Sequence, residues 1–217
     1  MNRREFLRKN LQRVQEKIAP YSATLIVVTK TYPVSDVQIL SELGVTDFGE
    51  NRNEEGLEKS AIVPATWHFQ GGIQGRKIKE IVQWADVIHS LDDAGHCEKI
   101  QTLATRPIDI FLQLSLDQDP SRGGVGEPAL AELAEKVLHS GNPHLTLKGL
   151  MCVPPVELDP REAFTEIAQI HQRFMGQFPE AKYLSAGMSG DFEIALDCGA
   201  THIRVGSSIL GSRTPAQ

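Results

Sequence analysis

Leu25-Ile26-Val27-Val28-Thr29-Lys30 and, near the far end of the chain, Thr201-His202-Ile203-Arg204-Val205-Gly206-Ser207-Ser208-Ile209-Leu210 are the stretches on which the fold turns. The first is a short apolar run that stops at a lysine. The second is a similar run that leads into a glycine-serine turn. Side chains alternate along a strand with period two. Ile26, Val28 and Lys30 therefore share one face, as do His202, Arg204 and Gly206. If these are the first and last strands of a closed barrel, they are neighbours. Lys30 and Arg204 then converge on the mouth formed by the carboxyl ends of the strands.

The intervening sequence supports that closure. Short apolar runs followed by turn residues occur at 25–31, 47–51, 66–71, 86–91, 109–116, 147–153, 183–188 and 202–210. Amphipathic stretches separate them at 34–43, 52–59, 75–84, 93–104, 127–139, 160–174 and 191–198, and a leading helix is expected over about 2–18. Strand-helix alternation favours right-handed parallel units. Eight such strands predict an α/β fold, a single (β/α)8 TIM barrel with an extra N-terminal helix, occupying residues 1–217 as one domain. A doubly wound open sheet is the competing arrangement, but no GxGxxG follows the first strand, so its dinucleotide-binding form loses support. Pro154-Pro155 and the stretch 117–126 read as loops at strand ends.

Composition narrows the partners. The 217 residues are 41% hydrophobic and carry a formal net charge of -6. No basic stripe is present to release counterions from nucleic acid. No run approaches the roughly 20 apolar residues that cross a bilayer, and the charged start, MNRREFLRKN, is unlike a secretory signal. Cys97, Cys152 and Cys198 lie far apart without a CxxC pair. They read as buried thiols of a cytoplasmic protein, with no metal site.

The chemistry gathers at the strand ends. Lysines are usually exposed, and a surface lysine capping a strand is the ordinary role for Lys30. A buried lysine near a cation has a lowered pKa, and its amine can attack a carbonyl to form an imine. Gly206 and Ser207 open a turn whose N–H groups, with the Ser207 hydroxyl, suit a phosphate. Phosphate sites after strands seven and eight are common in such barrels. Arg204, if buried, needs an acceptor; an internal salt bridge and donation to a cofactor's pyridine nitrogen are both open to it. Leu184-Ser185-Ala186-Gly187-Met188-Ser189-Gly190-Asp191 ends strand seven. Ser189 there is a helix cap or part of a phosphate cup. Asn51 either caps the helix after strand two or contacts a ligand ring, and His68 reads as a hydrogen-bonded core histidine. An imine-forming lysine and a phosphate cup on one rim suit pyridoxal 5'-phosphate (PLP). They also suit an aldolase acting on a phosphorylated ketone.

Five segments in order, VVTKTYPV (27–34), DFGENRNEE (47–55), WHFQGGIQGRK (67–77), LKGLMCVPP (147–155) and LSAGMSGDFEIALDCGATHIRVGSSILGSR (184–213), resemble the pyridoxal-phosphate homeostasis proteins. These are single-domain relatives of the alanine racemase barrel, of fold type III. The resemblance implies that Lys30 carries the imine and that Arg204 faces the pyridine nitrogen. It also implies phosphate contacts from Ser185, Ser189, Gly206 and Ser207, and cofactor contacts from Asn51 and Met188. Tyr32 stands where relatives usually carry a second lysine, Gly72 to Lys77 departs from the usual His-Leu-Gln-Ser-Asn-Lys, and Gly190 replaces a common acid.

Two functional classes follow. One is a monomeric cytoplasmic binding protein that holds PLP as a Schiff base, without efficient catalysis, in PLP (vitamin B6) homeostasis and amino- and keto-acid balance, with transient PLP-enzyme partners. The other is a PLP-dependent amino-acid racemase. Racemisation requires proton donors on both faces of the substrate. The tyrosines, Tyr21, Tyr32 and Tyr183, lie in no added domain. An arginine opposite the pyridine nitrogen also discourages its protonation and makes a poorer electron sink.

Overall fold

The computed structural model describes residues 2–119, 121–139 and 141–211. In it the chain runs α1 (Arg3–Ile18), β1 (Thr24–Val28), α2 (Val34–Glu42), β2 (Asp47–Glu50), α3 (Asn53–Ser60), β3 (Thr66–Phe69), α4 (Ile78–Trp84), β4 (Val87–Leu91), α5 (Ala94–Leu103), β5 (Ile108–Leu114), α6 (Glu127–Leu138), β6 (Leu145–Cys152), α7 (Pro160–Gln177), β7 (Tyr183–Ser185), α8 (Phe192–Asp197), β8 (His202–Val205) and α9 (Ser207–Leu210). The strands close into a parallel barrel in chain order, β1 to β8. Closure is made by β1 against β8, with Ile26 paired to Arg204 and Val27 to Val205.

Local chemistry starts the helices where the sequence signals them. Asn2 and Glu5 form a reciprocal capping box at α1. Asp93 caps α5, and Asp159 caps α7 ahead of Pro160. Leu7, Leu11, Val14 and Ile18 bury the apolar stripe of α1 against α2, α8 and α9. Because α9 has only one turn, α1 completes the outer layer between α8 and α2.

Two of the element boundaries that differ from expectation bear on the site. The run 202–210 is not all strand: β8 stops at Val205 and residues 207–210 are helical. Ile209 and Leu210 are apolar because α9 buries them, and that pattern cannot be told from a strand in so short a run. β1 likewise stops at Val28, so Lys30 lies in the turn beyond it.

The barrel wall separates two kinds of interior. Outside it, Phe48, Trp67, Phe69 and Ile88 pack beneath the helices in the main apolar core. Inside it lies a small apolar cluster of Val87, Phe111 and Met151, among buried His68, His89, Ser185 and Arg204. A register shift in β6 brings Gly149 opposite Phe111. A Cβ on Gly149 would stand 1.7 Å from the Tyr183 carbonyl oxygen, so only glycine fits the close approach of β6 to β7.

Candidate functional site

The loop after β1 carries Lys30, and a buried ion network grips the backbone on both sides of it. The Lys59 ammonium donates to the Thr29 carbonyl at 2.8 Å and to the Glu50 carboxylate at 2.6 Å. The Thr29 hydroxyl donates to the same Glu50 oxygen, and the Thr31 N–H donates to Glu55 at 2.6 Å. Thr31 sits at φ 69°, a left-handed conformation that threonine rarely adopts. This turn directs half-buried Lys30 toward the barrel mouth.

Opposite, the β7–α8 loop meets the β8–α9 turn. The Ser189 hydroxyl accepts hydrogen bonds from the N–H groups of Gly206 at 3.2 Å and Ser208 at 3.3 Å. These donors converge at the start of α9, where an anion would also be satisfied. A Cβ on Gly206 would come within 3.1 Å of the Val28 carbonyl oxygen, so its bare backbone keeps the turn against β1. Asp191, not Ser189, is the N-cap residue of α8. The Met188 N–H is fixed by the Asp191 carboxylate at 2.6 Å.

Arg204 points from β8 into the mouth. Its guanidinium donates to the Ser185 hydroxyl at 2.8 Å and to the Cys152 carbonyl at 3.0 Å. Burial lowers its pKa to about 10, which leaves it cationic at neutral pH. Neither anchor is a carboxylate, so the side chain retains its charge and three further donors for a ligand.

These elements enclose a cavity of about 300 Å³. Seven sequence-predicted residues line it together: Lys30, Asn51, Met188, Ser189, Arg204, Gly206 and Ser207. Ser185 is not among the lining: it is fully buried, with its hydroxyl bonded to His89 and Arg204. Asn51 lines the cavity and does not cap α3, whose N-cap residue is Arg52. Tyr32 forms another part of the wall, with its hydroxyl donated to the Gly211 carbonyl at 2.6 Å. A larger cleft of about 690 Å³ adjoins the cavity across Asn51, Gln70, Met151 and Val153.

Sequence reasoning missed the supporting residues. Lys59 carried one signal, its i,i+4 spacing from Glu55 on α3, but its reach to Glu50 and Thr29 depends on how α3 packs beside β2. His89 carried none beyond lying in an apolar strand. His68 is a buried, hydrogen-bonded core histidine as expected. Cys97 and Cys152 are buried free thiols and Cys198 is half-buried; burial pushes Cys152 up to about 12. Among the described residues no His/Cys/Asp/Glu group forms a metal site, and no helix is long and apolar enough to cross a membrane. Ser212 and Arg213, the end of the last family-like segment, lie outside the described residues.

Comparison with known proteins agrees with the geometry. Residues 3–214 match the alanine racemase N-terminal domain. A pyridoxal phosphate homeostasis protein of Corynebacterium glutamicum is 39% identical over 203 residues, covering 88% of this chain and 91% of the relative. PipY of Synechococcus elongatus, solved with PLP bound, superposes with a TM-score of 0.84 at 29% identity, covering 94% of this chain and all of PipY. Alanine racemase from C. glutamicum shares the fold at a TM-score of 0.76 and 12% identity; 99% of this chain matches 64% of that enzyme.

Proposed function

We propose, from the premise that this chain belongs to the alanine racemase N-terminal-domain family and within it to the pyridoxal phosphate homeostasis proteins, that its 300 Å³ rim cavity holds PLP. The protein serves PLP homeostasis and holds the cofactor without turning over amino acids. The carrying observation is that Lys30, Arg204, Ser189 and the Gly206-Ser207 turn line one mouth.

The residues present suit that cofactor. Its aldehyde supplies a carbon that condenses with an amine, and Lys30 is the amine the site offers. The α9 turn and Ser189 would hold its phosphate, Arg204 would donate to its ring nitrogen, and Asn51 and Met188 would contact the ring from the rim. The network of Thr29, Glu50, Glu55 and Lys59 fixes the backbone from which Lys30 reaches.

The same residues favour holding over catalysis. A guanidinium that remains cationic opposes a proton on the ring nitrogen and so weakens the ring as an electron sink. The Tyr32 hydroxyl is spent on the Gly211 carbonyl, Tyr21 binds Asp197 on the surface, and Tyr183 packs on His202. This distribution supports a carrier over a racemase. The carrier is read as a cytoplasmic monomer, one domain throughout, that meets PLP-dependent enzymes transiently.

Borohydride reduction of the PLP-loaded protein, followed by peptide mass mapping, tests this reading. A pyridoxyl group on Lys30 is expected. A colourless protein, or adducts confined to other lysines, would overturn the site. Turnover of an amino acid at about 1 s⁻¹ or faster, the ordinary enzyme range, would overturn the carrier role.

A further inference from the structure

A chain of hydrogen bonds runs through the barrel from the cofactor rim to the opposite end. The Arg204 guanidinium meets Ser185 Oγ at 2.8 Å, Ser185 Oγ meets His89 Nδ1 at 3.0 Å, His89 Nε2 meets His68 Nδ1 at 2.9 Å, and His68 Nε2 meets Asp47 Oδ1 at 3.1 Å. Ser185 and His89 are wholly buried and His68 nearly so, whereas Asp47, at the amino end of β2, is partly exposed. Phe111 stacks on the His89 ring at 4.6 Å and 5°, which fixes its plane.

The proton positions follow from donor counting. Arginine has no acceptor, so the Arg204–Ser185 bond uses an Arg204 hydrogen. Of the two partners of the Ser185 hydroxyl, only His89 Nδ1 can take its proton, and a buried hydroxyl without an acceptor costs about 1–3 kcal/mol. A bare His89 Nδ1 on a neutral ring puts the hydrogen on Nε2, where it is donated to His68 Nδ1. The remaining His68 hydrogen, on Nε2, goes to Asp47. Every donor then points the same way, and both imidazoles are neutral.

The surroundings are consistent with this polarity. Burial, with the charge of Arg204 adding to it, holds His89 well below the ordinary histidine range. Burial pushes the Asp47 carboxyl up, but hydrogen bonds from His68 and Thr46 lower it and keep Asp47 an acceptor. His202, flanking the chain beside Lys148, is itself lowered to about 4, chiefly by burial. At the other end, Cys152 and Asp191 are the polar neighbours of Arg204.

We propose that His89 and His68 are positioning residues for Arg204, forming with Ser185 and Asp47 a one-way donor relay that locks the guanidinium toward the ring-nitrogen end of the cofactor cavity. The relay rests on the reading of the cavity as a PLP site for its consequence, though not for its existence. It also accounts for the fully buried Ser185, whose oxygen is the link between the arginine and the histidines.

Two measurements test it. In ¹⁵N-histidine-labelled protein without PLP, His89 and His68 are both expected to carry hydrogen on Nε2, with a coupling across the N–H···N bond that joins them. A hydrogen on His89 Nδ1 overturns the relay whether or not PLP binds. With PLP, His89→Leu is expected to weaken binding at least tenfold and shift the visible absorption of the bound cofactor, while His89→Gln, which keeps one donor and one acceptor, stays within about threefold of the native chain. Ser185→Ala, a small excision unlike the larger change at His89, should repeat the His89→Leu result. Placed on Arg204→Ala, neither substitution should weaken binding further; additive losses would show that they act on packing and overturn the positioning role. Failure of the native chain to bind PLP overturns the cavity reading and the relay's consequence together, and leaves the tautomer measurement to decide the relay itself.

Discussion

Lys59 shows how one residue governs another that it precedes nowhere in the site. It is buried on α3, yet its ammonium holds the Thr29 carbonyl and the fully buried Glu50. Burial raises the Glu50 carboxyl above its ordinary value of 4.5, more than hydrogen bonds from Lys59 and Thr29 lower it. A raised carboxyl means that the folded state holds the proton more tightly than the unfolded one. Its contribution therefore favours folding below the ordinary value and is lost as pH climbs through the folded value. Removing Lys59 takes away the leading opposing influence and widens that window upward. Lys59→Met is expected to lose about 3–5 kcal/mol at neutral pH, the cost of stranding one partner of a buried pair. The loss should shrink toward pH 5, as Glu50 takes up a proton. Urea unfolding across pH 5 to 8 measures it, and a loss independent of pH would show that Glu50 is not the group responsible. Neither Lys59 nor Glu50 stands out in sequence, because an acid and a lysine nine residues apart belong to different elements, and only packing brings them to 2.6 Å.

Among the elements, α3 and α4 pack more closely than their composition suggests. Gly56 lies in the middle of α3, where glycine costs about 1 kcal/mol relative to alanine. A Cβ there would meet the Trp84 ring at 2.3 Å. Trp84 cannot retreat freely, since its indole N–H is donated to Asn53 at 3.0 Å and its ring meets Phe69 and Trp67 edge-on. Gly56→Ala, stabilising on helix propensity alone, is instead expected to cost about 1–3 kcal/mol through overpacking. A denaturant midpoint equal to or above the native one would show that α4 shifts to make room. The strand and helix alternation was legible in the sequence because apolar runs and caps are local signals. The one-turn α9 was not: Ile209 and Leu210 continue the apolar pattern of β8, and only their burial within the outer layer distinguishes helix from strand.

For the molecule as a whole, the barrel interior is its weakness in acid. His202 is lowered to about 4 and His89 lies well below the ordinary 6.5, each chiefly by burial; outside the barrel, on α7, burial lowers His171 as well. The unfolded chain takes up protons at these residues near pH 6.5 while the folded chain refuses them, so stability rises with pH across this range and falls on acidification. His202 alone is worth on the order of 3 kcal/mol between pH 6.5 and its folded value. Asp47, held below its ordinary 3.8, adds a further loss below that pH. Glu50 acts with the opposite sign but is a single group. Unfolding free energy is expected to drop from pH 7 to pH 5, and equal stability at the two would mean that these rings are not held neutral. Sequence alone determined the alternation of strands and helices, the lysine closing the first apolar run and the glycine-serine turn after the last strand, because propensity, periodicity and turn chemistry act over a few residues. Tertiary structure alone decided what supports them. Asp47, His68, His89, Ser185 and Arg204 are separated by 21, 21, 96 and 19 residues along the chain, and they meet because closure and register turn their side chains into one narrow interior.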